Sequence, residues 1–138
     1  MARLGEMRVG DAAEMAKTVT ESDIALFAGV TGDFNPVHID AVAAETSMFG
    51  GRIAHGMLSA GFISAVLGMR LPGPGSIYLS QTLRFTKPVR IGDTVTARVE
   101  VLEVITAKRR VRLATVCRNQ KNETVVEGEA VVMVEDRE

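Results

Sequence analysis

Between Gly29 and His38 the chain reads Gly-Val-Thr-Gly-Asp-Phe-Asn-Pro-Val-His, which sets a carboxylate, Asp33, and an imidazole, His38, five residues apart on a stretch broken by glycine and proline. An acid and a base held that close can pass a proton to and from a small reactant, the work of general acid–base catalysis. Further along, Gly56 opens a segment that carries no charge before Arg70. A helix beginning at that glycine would aim unbonded backbone N–H groups and the positive end of its dipole outward, with no side chain in the way. Both histidines of the chain, His38 and His55, fall in this region.

Taken singly, these residues are unremarkable. Asp33 and Asn35 suit any loop, and Asn-Pro favours turns whatever the function. His55 reads equally as a catalytic group beside Gly56 or as a structural histidine holding the helix entrance by a hydrogen bond. Ser64 lies about two turns beyond Gly56 on a similar helix face, where its hydroxyl either lines a site or bonds the i−4 carbonyl. Met57 and Met69 read as core filling. The combination of the acid–base pair with a glycine-opened helix is what points to chemistry.

The frame around the site is modest. A chain of 138 residues predicts one domain over 1–138, since about 150 residues bury roughly 70% of their unfolded surface around a single core. With 16 basic and 17 acidic residues the formal charge is −1, which gives no basis for nucleic-acid binding. The basic cluster Lys108-Arg109-Arg110-Val-Arg112 interrupts itself, and Arg109, Arg110 and Arg112 read as a solvated strand face. Cys117 is the one cysteine, so no intrachain disulfide or cysteine metal cluster forms, and a reducing compartment is expected. The opening residues Met-Ala-Arg-Leu-Gly-Glu lack the apolar run of a secretory signal, and a cytoplasmic location is the expectation.

The elements that must position the site divide into a helical, looped first half and a strand-rich second half, an α+β pattern. A short strand is expected over about 13–19. Thr20-Glu-Ser-Asp23 then has the form of a capping box, with Val19 and Ile24 spaced as a hydrophobic staple. The helix they open has apolar Ile24, Phe27 and Ala28 and ends between Gly29 and Gly32. A second short helix is expected over about 40–46. From Gly56 to Leu71 the segment is apolar on all faces, yet its length of roughly 21 Å falls short of a ~30 Å hydrocarbon core, so it is expected to be a central helix buried on every side and not a membrane span.

Residues 76–87 alternate as one strand, with Ile77, Leu79, Leu83 and Phe85 on one face and Gln81 as an exception to it. Pro88 and Gly92-Asp93 mark a turn before Val95, Ala97, Val99 and Val101, whose alternation slips at Leu102 and predicts a bulge. Val111, Leu113, Thr115 and Cys117 form a further strand, and Val125 to Val134 the last. Long antiparallel strands with one polar face, set against one apolar helix, describe a sheet curled around a helix, the hot-dog architecture.

Thr31-Gly-Asp-Phe-Asn-Pro-Val-His-Ile-Asp40, Ile53-Ala-His-Gly-Met57, Gly75-Ser-Ile-Tyr78 and Lys87-Pro-Val-Arg-Ile-Gly-Asp93 resemble the MaoC-like, R-specific enoyl-CoA hydratases over most of residues 20–134. The resemblance implies a single hot-dog domain that hydrates trans-2-enoyl-CoA to (3R)-3-hydroxyacyl-CoA. It implies Asp33 and His38 as the catalytic pair, Asn35 as polar support, the Gly56 amide as donor to the thioester carbonyl and Ser64 as a site-lining hydroxyl. Leu67 and Val131 are then candidate acyl-pocket residues. No metal or organic cofactor is implied, and the partners are an acyl-CoA thioester and a second copy of the chain, with contact of Arg109, Arg110 and Arg112 to coenzyme A phosphates as the lesser alternative to a solvated face.

The residue types suit that chemistry independently. Hydrating an enoyl thioester needs a group to take a proton from water, one to deliver a proton to Cα, and a donor for the carbonyl oxygen as it becomes enolate-like. Competing readings are a dehydratase acting on carrier-protein thioesters, a hot-dog thioesterase, and a non-catalytic acyl-thioester-binding subunit. The last would be expected to lack the acid or the base, and this chain has both.

Overall fold

The computed structural model describes residues 3–135. Strand β1 (Ala12–Thr18) leads into helix α1 (Glu21–Thr31), two short helices α2 (Pro36–Ile39) and α3 (Ala41–Glu45), and the long helix α4 (Gly56–Met69). Strands β2 (Ser76–Gln81), β3 (Arg84–Phe85), β4 (Thr94–Ile105), β5 (Arg110–Arg118) and β6 (Thr124–Val134) follow. They form one antiparallel sheet in the order β1-β4-β5-β6-β2, with β3 also pairing with β6. The α+β hot-dog expectation is met.

Period-two patterning builds the concave face of that sheet. Val95, Ala97, Val99 and Val101 of β4, Val111, Leu113 and Cys117 of β5, and Ala130, Val132 and Val134 of β6 are all buried and meet Ile63, Val66 and Leu67 of α4 in one core. Each such aliphatic side chain contributes about 1.5–3 kcal/mol when fully buried. The register between β4 and β5 shifts between Val101 and Glu103, so the expected bulge falls at Leu102, and Val104 beyond it packs partly buried against the core.

The entrance of α1 follows its sequence signature. The Thr20 hydroxyl accepts from Asp23 N at 3.2 Å and the Asp23 carboxylate accepts from Thr20 N at 2.9 Å. The staple pair Val19 and Ile24 is buried. At the other end Gly32 takes φ 82°, a left-handed cap that turns the chain into the Asp33 loop.

Three expectations are corrected. The strand expected over 76–87 is split, with a register shift between Tyr78 and Ser80 and a break before Arg84. The reason lies at Thr82, which passes so close to β6 that a Cβ on Gly128 would stand 1.8 Å from the Thr82 carbonyl oxygen. There the Thr82 hydroxyl accepts from Glu129 N at 3.0 Å in place of a regular ladder bond. Gln81 sits among apolar neighbours because its Nε2 donates to Thr115 Oγ1 at 2.9 Å. The loop expected between Gly29 and His38 contains α2, which four residues are too few to announce by periodicity. And α4 is not enclosed within one chain: Ser59, Ala60, Ile63, Val66 and Leu67 are buried, while Met57, Gly61, Ser64 and Met69 are exposed.

The capping box yields a test. Burial raises the Asp23 carboxyl, but the hydrogen bonds from Lys17 and Thr20 outweigh it and leave the folded-state pKa below the ordinary carboxylate value. Its contribution is therefore present above the unfolded pKa and is lost as pH falls through the lowered folded one. Asp23→Ala should cost about 1 kcal/mol at neutral pH, the scale of a lost helix cap. Urea titrations of both proteins should give midpoints that separate at pH 7 and converge in acid; equal midpoints at pH 7 would contradict the assignment.

Candidate active site

The left-handed turn at Gly32 delivers Asp33 to a loop in which each polar side chain caps the next residues. Asp33 Oδ1 accepts from Asn35 N at 3.2 Å, and Asn35 Oδ1 accepts from Val37 N at 3.2 Å, making Asn35 the N-cap of α2 with Pro36 at its first helical position. Asn35 thus acts locally by shaping the turn that carries His38. The helix is tied to its surroundings by Arg52, whose Nε donates to His38 O at 2.7 Å while its guanidinium bonds Glu21 at 3.0 Å.

The His38 ring is buried, and its Nδ1 lies 2.8 Å from Ile53 O. A carbonyl can only accept, so Nδ1 carries the proton and in the neutral ring Nε2 is left as a bare acceptor. His55 is held in the opposite tautomer by the same argument: its Nε2 lies 2.9 Å from Asp33 O and therefore donates. The two imidazoles stack with centroids 3.9 Å apart, and Phe27 packs on His55 at 4.7 Å. Among the described residues, His55 Nδ1 is the one buried side-chain polar atom without a partner.

A carboxylate oxygen of Asp33 and one ring nitrogen each from His38 and His55 lie within 4.8 Å of one another. Such a donor set invites a metal reading, but an ion must lie in the plane of each imidazole at about 2.1 Å from its nitrogen. Two rings stacked at 3.9 Å with planes 30° apart would have to swing out of their stack to share one ion. The arrangement suits proton transfer better than chelation.

Gly56 is the first residue of α4, which has no side-chain cap. No described residue accepts from its N–H, so the amide is free to bind an anionic oxygen. Here glycine answers to space as well as to chemistry: an added Cβ would stand 2.7 Å from Phe85 Cδ1 and Cε1. Beside this amide opens a mostly apolar cavity of about 410 Å³ whose lining includes His38, Phe49, Gly56, Met57, Phe85 and Val126.

The other residues singled out from sequence fall elsewhere. Ser64 lines a separate groove of about 590 Å³ between α1, α4 and β2, reached past Met57, which borders both spaces. Leu67 is buried in the core and lines neither space. Val131, the other acyl-pocket candidate, also lines neither space: Ala130 and Val132 beside it face the core, so alternation turns Val131 to the outer sheet face. Arg112 is bonded to Glu103 and Glu129 on that same outer face. Cys117 is buried, its thiol pushed up to about 12 by desolvation, and it donates weakly to Ser59 O at 3.5 Å, so it offers no nucleophile. Sequence reading missed Phe49, Phe85 and the Ile53 carbonyl. Phe85 carried a signal in the strand alternation, whereas a backbone carbonyl carries none.

Comparison with known proteins finds relatives in sequence and in fold. The MaoC like domain family model matches residues 8–127. The chain is 55% identical over 132 residues to an (R)-specific enoyl-CoA hydratase of Rhodospirillum rubrum, covering 96% of this chain and 91% of that protein. It is 50% identical to a 3-hydroxybutyryl-CoA dehydratase of Methylorubrum extorquens, covering 96% and 84%. The solved structure of the R-hydratase PhaJ1 from Pseudomonas aeruginosa, unliganded, superposes with a TM-score of 0.91 at 52% identity, covering 96% of this chain and 85% of that one.

The close approach at Gly56 can be tested without any substrate. Gly56→Ala should destabilise by about 1 kcal/mol, the low end of overpacking, because the Phe85 ring it meets is half exposed and can turn aside. Phe85→Ala made in addition should relieve part of that cost, giving a coupling of about 0.5 kcal/mol in a double-mutant cycle of denaturant midpoints. Additive effects would show that the ring is not what excludes a side chain at residue 56.

Proposed function

The chain belongs to the MaoC like domain family, and we propose that it is an (R)-specific enoyl-CoA hydratase, adding water reversibly to trans-2-enoyl-CoA to give (3R)-3-hydroxyacyl-CoA. The observation that carries this reading is that Asp33 and His38 bring a carboxylate oxygen and a ring nitrogen within 4.8 Å of each other while His38 and Gly56, whose amide is free, line one apolar cavity, in a chain 55% identical to a protein of that activity. No serine or cysteine paired with its own base is found among the described residues, which disfavours a thioesterase that works through an acyl-enzyme.

A water held between the Asp33 carboxylate and His38 Nε2 donates a hydrogen bond to each and leaves its lone pairs free for attack on Cβ. As the C–O bond forms, the Cα=Cβ electrons shift toward the thioester carbonyl, whose oxygen gains charge and accepts from Gly56 N–H. An oxyanion donor of this kind contributes about 2.7–4 kcal/mol to lowering the barrier. One member of the acid–base pair takes one proton from the attacking water, the other stays on the new hydroxyl, and the pair passes the proton it took to Cα, so that it is restored and the thioester stays intact. The apolar lining keeps bulk water away and strengthens each of these charge interactions.

The reading extends to assembly and location. A homodimer is supported by what one chain leaves uncovered: Met57, Gly61 and Ser64 on α4 are exposed in one groove with Tyr78 and Leu79 on β2, itself at the end of the sheet, and Leu26 and Val30 on α1 are exposed as well. Unpaired strand edges and apolar patches of this kind favour symmetric pairing. A cytoplasmic protein is supported by the lone buried thiol of Cys117.

Two measurements test the proposal. With trans-2-enoyl-CoA, the conjugated absorbance should fall with no release of free thiol, and Asp33→Asn and His38→Ala should each lower kcat by about 10²-fold or more with the fold intact. Thiol release in step with substrate loss, or turnover of the (3S) epimer in reverse, would exclude the reading. Light scattering at micromolar concentration should report a dimer, weakened by Leu79→Asp; a fully active monomer would remove the assembly from the proposal.

A further inference from the structure

We propose that His55 is a positioning residue that sets the catalytic geometry from below: its Nε2–H fixes the Asp33 backbone, its ring fixes the plane of His38, and its own residue opens α4. The inference rests on the hydratase reading. Three contacts carry it. The 2.9 Å hydrogen bond to Asp33 O ties down the carboxylate-bearing residue through its main chain. The 3.9 Å stack lies against the His38 ring, whose Nδ1 is held by Ile53 O and whose Nε2 is left as the acceptor. And His55 is the N-cap of α4, one bond from the Gly56 amide, with its carbonyl accepting from Leu58 N at 3.0 Å.

The imidazole is an uneconomical choice for packing alone. His55 is 2% exposed, and its Nδ1 is buried with no partner among the described residues. An unsatisfied buried acceptor costs about 1–3 kcal/mol. A phenyl ring, like that of Phe27 on its other side, would fill the space without the orphan. What imidazole adds is the Nε2–H, and that proton goes to Asp33. One ring therefore couples the carboxylate, the imidazole and the oxyanion donor, so that a shift in any of them must move the other two.

The test separates the hydrogen bond from the ring. His55→Phe keeps the stack and loses the donor; His55→Gln loses the stack and places an amide donor about where Nε2 lies. His55→Phe should lower kcat by about 10²-fold, the cost of misplacing reacting groups by about 1 Å, with KM for 2-enoyl-CoA changed less than about twofold. His55→Gln should recover most of that loss. A second readout needs no turnover. With two histidines in the chain, nitrogen NMR of imidazole-labelled protein at about pH 8, where free imidazole is neutral, should show His55 as the Nε2–H tautomer, identified by its loss in either variant. An Nδ1–H tautomer at His55, a His55→Phe enzyme within about twofold of wild-type kcat, or a His55→Gln enzyme as impaired as His55→Phe would each overturn the proposal. Failure of the unsubstituted protein to hydrate 2-enoyl-CoA would instead overturn the hydratase reading, and the tautomer would still report the contact.

Discussion

The site depends on a strap of four residues, 53–56, pinned to a different part of the molecule at almost every step. Ile53 N donates to Val37 O at 3.2 Å and Ile53 O accepts from His38 Nδ1 at 2.8 Å, which locks α2 and its imidazole together. Ala54 N donates to Val89 O at 2.7 Å, joining the strap to the segment before β4. His55 reaches Asp33, and Gly56 begins the helix around which the sheet curls. Because backbone groups buried away from water must be paired, the requirement that keeps the strap hydrogen-bonded also aims the catalytic candidates.

This arrangement explains how reactive groups come from short, irregular segments without being loose. α2 has four residues and α3 has five, too few to persist alone. They are held by side-chain caps at Asn35 and Asp40, by Arg52 bridging His38 O to Glu21, and by the strap. Rigid placement is borrowed from α4 and the sheet, where the large apolar core lies. Polar chemistry is confined to the N-terminal end of α4, where helix geometry leaves amides unbonded in any case.

The same helix accounts for what a single chain leaves unfinished. A segment apolar on all sides can be satisfied only by cover on all sides, yet the sheet of one chain covers one face. The groove bordered by Phe27, Met57, Ser64 and Leu79 is the remainder, and it meets the cavity beside Gly56 at Met57. A second copy seated there would bring assembly and substrate binding into contact through one side chain.

Local rules were legible wherever neighbours in sequence are neighbours in space. The capping box at Thr20 and Asp23, the cap at Gly32, the alternation of β4 and β5 and the bulge at Leu102 depend on periods of 2 and 3.6 and on turn chemistry, all of which are written in consecutive residues. Asp33 and His38 could be singled out because one short turn separates them. Other features required tertiary structure. The split at Thr82 arises because Gly128, distant in sequence, comes within contact of its carbonyl. Val131 faces away from the core because register with β5, and not its apolar character, decides its side. His55 could be read as catalytic or structural from sequence, since what settles its tautomer is a backbone carbonyl twenty-two residues away, and a carbonyl is common to every residue and so leaves no mark in the amino-acid order.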